Sequence, residues 1–247
     1  MSLLSSDKIL IAIQFWEHDR KQALALARLM ADIQPGMCAE ADFLFVNRFD
    51  CPPVDVATIK HVSRKFRVHN YRSPRRGTGW PNGCNELWFG TIEWFYHMAG
   101  AKKIPGYKAI LTFEADCAPL HKDWVKILSK GWDRLQEKSK IYMAGKIVTG
   151  DGIHEHVNGN CLVSGRPEFL KWLVRDVGSA PANVGWDYCM SEQFKQWGWA
   201  NLPGMECRWG TRTMTGDQLQ AEVNRGVVFL HGVKDYSAQV FSRKILT

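Results

Sequence analysis

The stretch Tyr107-Lys-Ala-Ile-Leu-Thr-Phe-Glu-Ala-Asp-Cys-Ala-Pro-Leu120 joins an apolar run, Ala109 to Phe113, to two acids, Glu114 and Asp116. Pro119 stops the strand, and a helical pattern opens near Asp123. Alternate side chains of an extended strand share a face, so Glu114 and Asp116 point the same way, with Ala115 opposite. Two carboxylates at the exit of a buried strand are costly unless a cation lies between them. A divalent metal carrying a diphosphate meets that need. The competing reading is that the acids cap the helix that follows.

The segments before it have the same form. Lys8 to Ile13 is an apolar run without strict alternation, as in a buried parallel strand. Gln14 to His18 is the loop after it, Asp19 the expected N-cap, and Arg20 to Ile33 a helix ended by Pro35-Gly36. Ala41 to Val46 is the second strand, leaving into Asn47-Arg48-Phe49-Asp50. A β-α-β unit of this kind implies a parallel sheet, whose ligands bind at the carboxyl ends of the strands. Three loops should therefore converge: 14–18, 47–50 and 114–116. No Gly-x-Gly-x-x-Gly or P-loop follows the first strand, which argues against a dinucleotide dehydrogenase or an NTPase.

Further along, Asp55 to Lys65 reads as a short helix and Phe66 to Tyr71 as a third strand. Arg72 to Gly83 is the most loop-like stretch, with Arg76 and Trp80 placed to touch phosphate or to stack on a base or sugar; the alternative is a solvated connector. Asn85 opens a helix through His97. Lys122 to Lys138 is an amphipathic helix whose apolar stripe is core, and Ile141 to Val148 is another strand. His154 and His156 could share a strand face, but no third zinc ligand stands nearby. Pro167 to Arg175 and Cys189 to Trp197 read as helices. The apolar run Val227 to Leu230 ends in His231-Gly-Val-Lys234, and Ser242-Arg-Lys244 forms a basic tail that folds over the donor or stays solvated.

With 247 residues and 45% hydrophobic content, the chain suits one large α/β domain or two small ones. A net charge of +7 points to an anionic partner: nucleic acid, a phosphorylated sugar donor or an anionic lipid surface. Eleven tryptophans offer platforms for sugars or bases. Seven cysteines, an odd number without a C-x-x-C pair, read as reduced thiols of a cytoplasmic protein. Met1 to Asp7 has no leader pattern, and no transmembrane segment is evident.

Glu114-Ala-Asp116 resembles the D-x-D metal motif of GT-A glycosyltransferases, with Glu114 in place of the first Asp. The resemblance covers most of the chain by order of elements, but only this segment and His231-Gly-Val-Lys234 are motif-like. It implies a GT-A-like α/β fold with a mostly parallel central sheet, the chain to about residue 120 forming the nucleotide-sugar half and 121–247 the acceptor half. It also implies Mn2+ or Mg2+ on Glu114, Asp116 and His231, with Lys234 on the diphosphate of a UDP-sugar. Gln14 and Phe15 would flank the base or ribose, Asp50 would hydrogen-bond the base, and Asn85 would face the donor. Asn158-Gly159-Asn160 would be a turn near the transferred sugar, and Trp186 an acceptor platform. Asp187 would be the catalytic base of an inverting enzyme, with Glu192 as the fallback; a retaining enzyme needs neither. The expected acceptor is a hydroxyl, either on 5-hydroxymethylated bases of phage DNA or on surface polysaccharide, lipopolysaccharide or protein. Two alternatives are a non-catalytic nucleic-acid-binding protein and a nucleotidyltransferase; the second lacks its Gly-rich basic segment after the first strand. Oligomeric state is not legible.

Overall fold

The computed structural model describes residues 5–150 and 152–247. Met1 to Leu4, part of the stretch read for a leader, and Asp151 lie outside the described residues. The elements run β1 (Ser5–Phe15), α1 (Arg20–Ile33), β2 (Ala41–Asn47), α2 (Val56–Val62), β3 (Val68–Arg72), α3 (Asn82–Gly100) and β4 (Gly106–Phe113). Next come β5 (Cys117–Pro119), α4 (Trp124–Lys138), β6 (Met143–Gly150), β7 (Ile153–Ser164) and α5 (Pro167–Lys171), the last continued by a π-helical segment, Trp172–Val177. The chain closes with α6 (Trp186–Cys189), α7 (Ser191–Trp197), β8 (Trp199–Asn201), β9 (Met205–Cys207), α8 (Gly216–Asn224), β10 (Phe229–His231) and α9 (Ser237–Leu246).

Seven strands form one sheet in the order β3-β2-β1-β4-β7-β6-β8. β3, β2, β1 and β4 are parallel, β7 is antiparallel to both β4 and β6, and β8 returns parallel to β6. The apolar run of β1 is continuous because both faces of a central parallel strand are covered. Ile9, Ile11 and Ile13 pack into one core with α1 and α4. Leu10 and Ala12 enter the other, with α3 and α7. At the carboxyl edge the chain leaves β1 for β2 on one side and has β4 on the other, which opens a crevice between their exits.

Several boundaries differ from expectation. The third strand starts at Val68, just after Arg67, whose carbonyl accepts from Phe43 N at 2.8 Å. Asn158-Gly159-Asn160 is not a turn but the middle of β7, where the pairing with β6 shifts register. The basic tail is part of helix α9, whose Ala238, Gln239, Ser242 and Leu246 are buried while Arg243 and Lys244 are exposed. Asp19 does stand at the start of α1, but its side chain accepts from Trp16 N at 2.7 Å and makes no cap bond into the helix. Among the described residues, no helix is long and apolar enough to cross a membrane.

Candidate active site

The three short strands outside the main sheet assemble the site. They pair in the order β5-β10-β9, antiparallel then parallel, with Cys117 opposite His231 and His231 opposite Cys207. This register sets the end of β10 beside the acids that follow β4. Gly232 N donates to the Asp116 carbonyl at 3.2 Å. Gly232 has φ +96°, and a Cβ there would lie 2.7 Å from Trp209 N, so only glycine fits where the two segments touch. From the far side, Asn160 Oδ1 accepts from Glu114 N at 2.8 Å.

Glu114, Asp116 and His231 each offer a ligand atom within 4.8 Å of the others, and among the described residues no other such group exists. His231 Nε2 lies 3.4 Å from Asp116 Oδ1 and 3.7 Å from Glu114 Oε2. Asp116 Oδ1 and His231 Nε2 are buried and have no hydrogen-bond partner. Buried polar atoms are ordinarily satisfied, so this orphaned pair, beside a third oxygen ligand, fits a divalent cation of hard or borderline character. The other ring nitrogen of His231 lies 3.3 Å from Cys207 Sγ. A proton on Nδ1, donated to that sulfur, leaves Nε2 free as a ligand.

The charges are mutually dependent. Burial opposes ionisation of Asp116, but His231 and Lys234 hold its carboxyl well below the usual range. Burial likewise opposes a charged His231, yet Asp116 beside it keeps the imidazole protonated well above its ordinary value. Lys234 Nζ sits 2.6 Å from Asp116 Oδ2 and is raised for the same reason, against its own burial. A bound cation would take the place of the proton on His231.

Two cavities meet at the triad. The first, about 260 Å3, includes Gln14, Trp16, Asp19, Arg48, Asp116 and Lys234 in its walls. The second, about 410 Å3, includes His156, Asn158, Asn183, Asp187, Tyr188 and His231. Gln14, Trp80, Cys84, Glu114 and Trp209 line both. The loops after β1, β2 and β4 thus converge on the first cavity.

Of the residues singled out from sequence, Gln14 faces the cavities and donates to Thr91 Oγ1 at 2.7 Å. Its neighbour Phe15 points the other way, fully buried in the core, and lines neither. Asp50 also lines neither; its carboxylate grips Arg48 at 2.5 and 2.7 Å, and that bond holds its pKa down. Arg48, which sequence reasoning passed over, is the wall residue, its guanidinium 4.8 Å from the Trp16 ring. Arg76 lies over Phe49 and lines neither cavity. Asn85 reaches the second cavity, but its side chain is spent on the loop before α6: Oδ1 accepts from Trp186 N, and Nδ2 donates to the Pro181 and Val184 carbonyls. Trp186 lines the second cavity, with its ring stacked on Trp88 at 3.7 Å and only 5% of it exposed. Glu192 is exposed beside His154, outside both cavities. The two histidines of the zinc reading flank the Tyr188 ring.

Asp187 lines the second cavity at the start of α6. Its oxygens accept from Gly159 N at 2.9 Å and Tyr188 N at 3.0 Å. A Cβ on Gly185 would lie 2.7 Å from Oδ1, so the carboxylate occupies room a larger residue would take. Burial raises the Asp187 carboxyl above its ordinary value, partly offset by His156 and the Gly159 N–H. Trp209, 69% exposed, carried no sequence signal.

No family model and no curated protein matches the chain by sequence. Solved structures do. Mouse xyloside xylosyltransferase 1 in its apo form matches at TM-score 0.52 and 11% identity, over 91% of this chain and 97% of that one. The apo-form glycosyltransferase GlyE of Streptococcus pneumoniae TIGR4 matches at TM-score 0.54 and 12% identity, over 97% of this chain and 60% of that one. The galactosyltransferase LgtC, in complex with donor and acceptor sugar analogs, matches at TM-score 0.50 and 12% identity, over 96% of both chains. The chain has the GT-A fold, with a mostly parallel sheet and the acid pair at its carboxyl edge.

Proposed function

We propose that the protein transfers a glycosyl group from a nucleotide diphosphate sugar, a UDP-sugar, to an acceptor hydroxyl, with Mn2+ or Mg2+ held by Glu114, Asp116 and His231. The observation that carries this reading is the orphaned buried pair, Asp116 Oδ1 and His231 Nε2, 3.4 Å apart where two cavities meet. The likeness of fold to three glycosyltransferases supports it.

A cation bound there would offset the charge that develops on the diphosphate. Lys234 adds a second positive charge on the first-cavity side. In the transfer, the bond from the anomeric carbon to the diphosphate oxygen breaks, and its electron pair leaves with the nucleotide. The acceptor oxygen bonds to that carbon. Its proton passes to the Asp187 carboxylate if configuration inverts; the raised pKa makes Asp187 the better proton acceptor. The first cavity takes the donor and is walled mainly by residues before 120, with Trp209 and Lys234 reaching back. The second takes the acceptor. The free thiols of all seven cysteines support a reducing, cytoplasmic setting. The net charge of +7 supports DNA as acceptor, whereas the lining of the second cavity supports a glycan.

The test is thermal unfolding with a panel of nucleotides and sugar nucleotides, with and without Mn2+. A ligand at a hundred times its Kd adds about 2.7 kcal/mol. A shift with UDP or a UDP-sugar that requires Mn2+ and vanishes in Asp116→Asn is expected. The absence of any metal-requiring shift would sink the reading.

A further inference from the structure

We infer that the second cavity seats an uncharged, hydroxyl-rich ring, the acceptor sugar of a neutral glycan, against Trp80 and Trp209. This rests on the transferase reading above.

The first observation is where aromatic surface is left in water. Trp88 and Trp124 are fully buried, yet Trp80 is 75% and Trp209 69% exposed. Both line the two cavities, where donor and acceptor must meet. Large aromatic faces held open beside a groove suit stacking on the apolar face of a sugar ring. Trp209 is also fixed in register with the metal strand. Arg208 N donates to the His231 carbonyl at 2.8 Å, and Gly232 packs against the Trp209 backbone.

The second observation is charge. The polar lining of this cavity includes Asn158, Asn160, Asn183, His156 and Tyr188, side chains that carry hydrogen-bond donors and acceptors. Its carboxylates are Asp187 and Glu114, and among the described residues no lysine or arginine lines it. The cations, Arg48 and Lys234, are on the first cavity. Apart from His231, which would share the bound ion, no cation of this cavity would meet the phosphates flanking a base extruded from DNA, whereas Asp187 would repel them. Hydroxyls of a neutral sugar meet no such penalty. Its reacting hydroxyl would face Asp187.

The test uses the full chain with Mn2+ and UDP on a printed glycan array, beside duplex DNA carrying 5-hydroxymethylcytosine in the same buffer. Retention by neutral glycans is expected. Trp209→Ala should raise the half-saturating glycan concentration about tenfold, the size of one lost aromatic contact, and Trp209→Phe should restore most of it. Circular dichroism checks that both variants fold. Retention by DNA or by acidic glycans alone would overturn the inference, as would no glycan binding by protein that binds UDP; the transferase reading would then stand. Glycan binding without any nucleotide binding would keep the cavity assignment and remove the transferase reading.

Discussion

Gln239 Nε2, on helix α9, donates to the Ala115 carbonyl at 2.7 Å across 124 residues of chain, and to the Cys117 carbonyl at 3.1 Å. The last helix thus holds the backbone on both sides of Asp116. One turn on, Ser242 Oγ donates to the Pro119 carbonyl. Gln239→Leu keeps the bulk and deprives two carbonyls of their donor. A buried group left unsatisfied costs about 1–3 kcal/mol, so the melting temperature should fall on the order of 5 °C. Mn2+ binding, measured by calorimetry, should weaken as well. Unchanged Mn2+ affinity would mean that the acid loop holds itself without α9.

This clasp shows where sequence reading stops. The acid pair was legible because an apolar run that ends in two carboxylates has few inexpensive solutions. His231 was legible by its place at the end of a second apolar run, before Gly232 and Lys234. The strands that bring them together were not. β5 and β9 have three residues each, too few to carry a period, and they exist because β10 offers an edge on either side. The resemblance implied a turn at Asn158 to Asn160, and Asn and Gly are poor strand formers; the segment stays extended because the ladders of β7 to β4 and β6 hold it on both sides of the register shift. Asp50 was a sound candidate until its neighbour Arg48 was seen to occupy it. No pattern marks Gln239 or Trp209, whose roles are set by packing alone.

Gly232→Ala should be costly for two reasons. The residue has φ +96°, and the added Cβ would lie 2.7 Å from Trp209 N and 2.8 Å from Arg208 C, both backbone atoms. A β-carbon at positive φ alone costs on the order of 1 kcal/mol, and the clash adds to it. The expected result is a lower melting temperature, weaker Mn2+ binding through His231, and a changed tryptophan fluorescence spectrum. A variant matching the parent in all three would disprove the close approach.

Asp19 makes stability depend on pH. Burial lifts its carboxyl from 3.8 to about 7, against the Trp16 N–H that lowers it, with Glu114 and Asp116 adding to the rise. A carboxyl whose folded pKa lies above its unfolded value favours the fold while protonated. That contribution is whole below about pH 4 and is lost as pH rises through about 7. The span corresponds to at most about 4 kcal/mol, less because solvent reaches this half-buried group. Asp19→Asn keeps an acceptor for Trp16 N and removes the charge. In EDTA, its melting temperature should exceed the parent's at pH 8 and match it near pH 4. Equal curves at both pH values would show that Asp19 titrates normally.

Asp187 gives the sharpest test of the chemistry. Burial raises its carboxyl, so the base form is lost on acidification at a higher pH than for an ordinary carboxylate. The kcat/KM for transfer should therefore fall as pH drops through that raised value. Asp187→Asn preserves the shape and an acceptor for Gly159 N but cannot take a proton. A positioned general base contributes about 10²–10⁴-fold, and a loss of that size is expected, with the acid limb of the profile abolished. Metal-dependent UDP binding, in the other cavity, should persist. A loss under about tenfold with the limb intact would remove Asp187 from the role of base. It would favour a retaining course, in which the acceptor proton leaves by another route.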